Sequence, residues 1–157
     1  MIKAFAARFS FTLLVPTIVL TVSLTTAAAR AQNQLYNPLP IPANGEVSDT
    51  LTEKDIPTGQ GGFARDYAIS LNAGDQVAVD LSSESFDTVV TLLATDGSTV
   101  GENDDGPDGT TNSLLFTRIA EAGRYTIRVR AFGETSGGPF KLKVTRLRPI
   151  ESSRGRE

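Results

Sequence analysis

Asn103, Asp104, Asp105 and Asp108 fall within one short segment, and Gly106 and Gly109 allow sharp bends there. Such a set offers only oxygen ligands. Hard cations take these, chiefly Ca2+, which binds about six to eight oxygens in flexible geometry. Asp87 opens an apolar run and joins the set if that run ends nearby. The expected cation ligands are therefore Asp87, Asn103, Asp104, Asp105 and Asp108, with Ca2+ as the ion. The spacing is not that of an EF-hand, because the alternating acids and the terminal Glu are missing. A plainer use also exists: Asp, Asn and Gly collect in loops because they cap turns and tolerate left-handed backbone.

Other reactive chemistry is sparse. The chain has no His and no Cys. That removes the commonest general base, the commonest zinc ligand and every Ser-His-Asp or Cys-His nucleophile system. Glu84, Asp87, Asp104 and Asp105 are the acids a carboxylate hydrolase would draw on. A domain this small has little room for a substrate cleft, so a non-catalytic role is expected and a hydrolase ranks below it. Thr58 to Gly62 (TGQGG) is no phosphate loop, since no Lys-Ser/Thr follows. Arg124, Arg128, Arg130, Lys141, Lys143 and Arg146 gather on one sheet face if the last two long strands pair. That stripe would suit an anionic polysaccharide or an acidic protein, although a solvated sheet face is the commoner use of such residues. Tyr36, Phe63 and Phe132 are candidate sugar-stacking aromatics, but with no Trp and three Tyr the platform is poor. Phe63 is expected to cover the core instead.

These residues need a scaffold, and the N-terminus says where it is built. Lys3 and Arg8 precede a largely apolar stretch, Phe9 to Leu24, and Ala29-Arg30-Ala31 supplies a small-x-small cleavage site. Residues 1–31 are therefore expected to be a signal peptide, with membrane contact only through this segment if it stays uncleaved. No Cys follows the apolar stretch to carry a lipid, and no twin-Arg pair precedes it. The protein is expected to be exported, to the periplasm or beyond the cell. Cleavage removes three cations and no acid, so the net charge falls from −3 to −6. A surface of that sign argues against nucleic acid. Without disulfides, the core must hold the domain together, with a metal as the one further aid open to it.

After an extended leader at 32–44, apolar residues recur with period two. Val47 and Leu51 share a face. Tyr67, Ile69 and Leu71 do the same, as do Val77, Val79 and Leu81, then Tyr125, Ile127 and Val129, then Phe140, Leu142 and Val144. Helices require a spacing of three to four, so these are strands. Asp87 to Ala94 is apolar on both faces, as in a strand covered on two sides. Asp55 to Phe63 reads as a loop, Asp96-Gly97 as a hairpin turn, and Glu102 to Gly106 as an acidic loop. The expectation is an all-β antiparallel sandwich or jelly roll of about eight strands over 45–148, with a polar tail at 149–157.

The order of these motifs resembles the bacterial pre-peptidase C-terminal domain. The family pattern runs Phe-Asp, an apolar strand, Asp-Gly, Asn-Asp-Asp, a small polar stretch, then Gly-x-Tyr and an alternating strand. Phe86-Asp87, Val89 to Leu93, Asp96-Gly97, Asn103-Asp104-Asp105, Ser113 and Gly123-Arg124-Tyr125 follow it, and the final strand Phe140 to Val144 also fits. The leader with Phe63 to Tyr67 is similar to small exported cyanobacterial versions. The resemblance implies a stand-alone secreted β-sandwich. Its expected role is a non-catalytic binding or accessory module that contacts an exported protein or a polysaccharide, and its expected state is a monomer. The alternative is a structural module stabilised by Ca2+ with no dedicated partner.

Overall fold

The computed structural model describes residues 36–59, 61–107, 109–133 and 137–147. The expected signal peptide and the tail at 149–157 lie outside them. Among the described residues of the unit that begins at Pro38, all regular structure is strand. Sheet I takes β1 (Leu39–Pro40), β4 (Phe63–Leu71), β9 (Gly123–Ala131), β6 (Thr88–Leu93) and β7 (Thr99–Asn103) in that order, with β3 (Ile56–Pro57) also on β4. Sheet II runs β2 (Glu46–Leu51), β10 (Gly138–Leu147), β5 (Gln76–Ser82), β8 (Ser113–Arg118). The sandwich and its long strands are as expected. The two extra elements are β1, which pairs parallel to β4 at Tyr67 and Ala68, and β3, which forms inside the segment expected to be loop.

Alternation decides which side chains are buried. Val77, Val79, Leu81, Ile127, Val129 and Leu142 are 0–1% exposed and fill the space between the sheets. Burying each such side chain contributes about 1.5–3 kcal/mol before entropy is counted. Tyr67, Phe140 and Phe86 meet edge to face, with ring centroids 6.3 and 6.4 Å apart. β6 is buried on both faces as expected. On its outer side Val89 and Thr91 stand opposite Arg130 and Arg128 of β9.

The β6–β7 hairpin turns at Gly97, whose φ is +84°. Asp96 keeps a negative φ, so the turn needs only one left-handed residue. Glu102 and Asn103, expected in the acidic loop, end strand β7 instead, paired with Thr91 and Val90.

The expected single basic stripe does not form. β9 belongs to sheet I and β10 to sheet II, so the two strands never pair. Arg124, Arg128 and Arg130 alternate onto the outer side of sheet I, and Lys141 and Lys143 onto the outer side of sheet II.

Candidate functional site: a braced groove on sheet II

Asn103 organises the acidic loop. Its Nδ2 donates to the carbonyls of Asp105 and Leu114, both at 2.8 Å, while its Oδ1 accepts from the amides of Asp104 (3.1 Å) and Asp105 (3.4 Å). The Leu114 amide closes the knot by donating to Asp105 O at 3.0 Å. This side chain therefore stitches β7 of sheet I to β8 of sheet II. Asp104 is half-buried and Asp105 exposed. Asp87 precedes β6, and its carbonyl accepts from Phe132 N at 2.8 Å. Among the described residues, no three acidic side chains group closely enough to hold one ion. Asp108 lies outside those residues.

The far end of the loop is pinned by hydroxyls that sequence patterning did not single out. Thr88 and Ser113 are buried, 2.6 Å apart, and Ser113 Oγ is 2.7 Å from Thr88 O. Their only sequence signal is a polar residue at a core-facing strand position. Asn112 Oδ1 then accepts from the Ser83 amide at 3.1 Å. Ser83 Oγ donates to Pro139 O at 2.8 Å and accepts from the amides of Ser85 (3.0 Å) and Phe86 (3.3 Å). Gly138 is required here: its φ is +142°, and a Cβ would stand 2.6 Å from Ser85 Cβ. The 83–86 turn is thus fixed against both β10 and the loop.

Between these two walls runs a groove of about 660 Å3 on the outer side of sheet II. Its floor is the cross-strand row Ser48, Lys141 and Ser82. Ser85 and Asn112 stand on its walls. Lys141 forms no ion pair among the described residues, whereas Lys143, one row along, meets Glu46 at 3.3 Å. A second hollow continues from the same floor toward Leu114 on β8. The groove offers hydroxyls, an amide, the Lys141 ammonium and the carboxylates of Asp49 and Glu84.

A polar clasp closes the β2–β4 side of the sandwich, next to the groove. Arg65 pairs with Asp49 and donates through Nε to Asp55 Oδ1 at 2.8 Å. Asp55 Oδ2 also caps the Thr52 amide at 2.7 Å. Partial burial pushes the Asp49 carboxyl up, but the Thr50 amide, the Tyr67 hydroxyl and Arg65 outweigh it and hold the group below its usual range. Burial and the neighbouring Asp49 raise the Tyr67 phenol well above its usual value. Arg65 is held protonated more firmly than usual: desolvation opposes this, but Asp55 and Asp49 overcome it.

On the outer side of sheet I, Asp66 is only 4% exposed, although alternation places it on the solvent side. Arg128 lies across it in a two-pronged contact, Nε to Oδ1 at 2.8 Å and Nη2 to Oδ2 at 2.7 Å. Glu102 accepts from Thr91 at 2.7 Å and from Arg130 at 3.1 Å. The cations of this face are largely spent on the protein's own carboxylates.

A two-sheet sandwich with a Gly-x-Tyr strand and an Asn-Asp-Asp loop bridging its sheets defines the fold class. Residues 64–131 match the family model of the bacterial pre-peptidase C-terminal domain. The matched stretch runs from β4 to β9. Among solved structures, the pre-peptidase C-terminal domain of collagenase from Bacillus anthracis is similar at a TM-score of 0.54 and 11% identity, covering 69% of this chain and 95% of that one. The periplasmic inhibitor of g-type lysozyme from Aeromonas hydrophila is similar at a TM-score of 0.51 and 19% identity, covering 71% and 96%. At such identities the likeness is one of fold. No curated protein sequence matches.

Proposed function

We propose that this chain is a non-catalytic, exported binding module whose partner is a protein, held in the groove on sheet II. The observation that carries this reading is Lys141, an ammonium with no ion pair among the described residues, set among hydroxyls between two braced walls. Preorganised walls reduce the ordering cost of binding. The lack of His and Cys supports a role without catalysis. The small-x-small site after an apolar N-terminal stretch supports export. The Aeromonas inhibitor supports a protein as partner, since a sandwich of this fold there engages an enzyme.

The test is photo-crosslinking in the native host, with the reactive group at Ser82 in the groove or at Asp96 on the sheet I hairpin. Ser82 should yield a discrete adduct with another exported protein, and Lys141→Glu should remove it. Adducts from Asp96 alone, or a groove that retains only glycans, would refute the reading. Purified chain should hydrolyse neither peptides nor glycans.

A further inference from the structure

Strand edges invite pairing with other chains, and proteins blunt them. Here most are blunted. Pro38, Pro40 and Pro42 surround β1, and Pro57 sits in β3. Along β2 the amides of Glu46, Thr50 and Thr52 are capped by the side chains of Asn44, Asp49 and Asp55.

The outer edge of β8 is blunted over only half its length. Leu114 turns its amide and carbonyl away from β5, to Asp105 O and Asn103 Nδ2. In an antiparallel pair, backbone groups alternate sides, so those of Phe116 and Arg118 also point away from β5. Among the described residues these four groups have no hydrogen-bond partner. Above them the Phe116 ring is 58% exposed, and Arg118 makes no ion pair among the described residues.

We propose that this half-edge pairs with its equivalent in a second copy of the chain, antiparallel and centred on Thr117. The hydrogen-bond inventory selects that register. Centring on Phe116 would call on Leu114, whose groups are already used. Centring on Thr117 sets Phe116 opposite Arg118 of the other copy twice, and uses all four free groups in four hydrogen bonds. The contact is self-complementary, as a two-fold interface must be. Each Phe116 ring also lies beside the opposite guanidinium on the same face, a cation–π arrangement. The two sheets II become one eight-stranded sheet, with a groove on each half. This departs from the expected monomer and stands whether or not the groove binds a protein.

Sedimentation velocity of the exported chain over a wide concentration range tests it. The mass should rise from one chain toward two. Phe116→Lys faces Arg118 of the other copy with a like charge and should weaken association about tenfold or more. Phe116→Glu faces the same Arg with an opposite charge and should keep the dimer, made salt-sensitive. Adding Arg118→Glu to Phe116→Glu should leave monomers. A chain that is monomeric at every concentration overturns the proposal. So does equal disruption by Phe116→Lys and Phe116→Glu, which marks a generic apolar patch.

Discussion

The Tyr67 hydroxyl, carried on sheet I, donates to Asp49 of sheet II at 2.8 Å, so one hydrogen bond joins the two layers where their edges meet. Tyr67 is 1% exposed and also packs edge-on against Phe140, which makes its ring and its hydroxyl separable contributions. Tyr67→Phe keeps the ring and deletes the bond. We expect a loss of about 1–2 kcal/mol in urea unfolding with an unchanged slope. Unaltered stability would mean that the bond contributes nothing to joining the sheets.

The same pair sets the pH limits. The folded carboxyl of Asp49 is held below its ordinary value of 3.8. Its contribution is therefore complete above that value and is lost as pH falls through the lower folded pKa. The folded Tyr67 phenol is held above its ordinary value of 10.0. Its contribution is complete below that value and fades as pH rises toward the folded pKa. Melting curves should show an acid limb that Asp49→Asn flattens and an alkaline limb that Tyr67→Phe flattens. Identical pH profiles for wild type and both variants would contradict this assignment.

Arg128 lies over a buried Asp66, so the two members of this pair are unequal to lose. Arg128→Ala takes the guanidinium from a buried carboxylate and should cost about 2–3 kcal/mol, reduced from the fully buried case because Arg128 is partly exposed. Asp66→Ala with Arg128→Ala should cost less than the sum of the single changes. A double-mutant cycle with strictly additive terms would rule the coupling out.

Asn103 donates twice through Nδ2, and a carboxylate at that position cannot donate at all. Asn103→Asp should lower stability by about 1–2 kcal/mol. Because Asn103 already shapes the loop from within, chelator should leave the melting temperature unchanged. A drop on adding chelator that Ca2+ reverses would instead make Asp87, Asp104, Asp105 and Asp108 ligands of a stabilising ion.

How far the sequence was legible follows from the range of each interaction. Period two is local, so strands such as Gln76–Ser82 and Gly123–Ala131 and their buried faces could be read directly. Asp96-Gly97 announced its hairpin for the same reason, because a left-handed glycine is a local requirement. β3 escaped notice because two residues hold no period, and it forms only because β4 passes alongside.

Strand neighbours depend on the whole chain. The cations of β9 and β10 look like one stripe in sequence, yet sheet order puts them on opposite sides of the sandwich. Asp66 reads as a solvent-facing acid until Arg128, 62 residues away, lies over it. The acidic loop was visible as a cluster of oxygens, but its Asn103 amide reaches a carbonyl on the opposite sheet. Backbone stereochemistry and alternation set the strands from within each segment; the pairing of distant segments decided which polar groups were spent on one another and which, like Lys141, have no ion pair among the described residues.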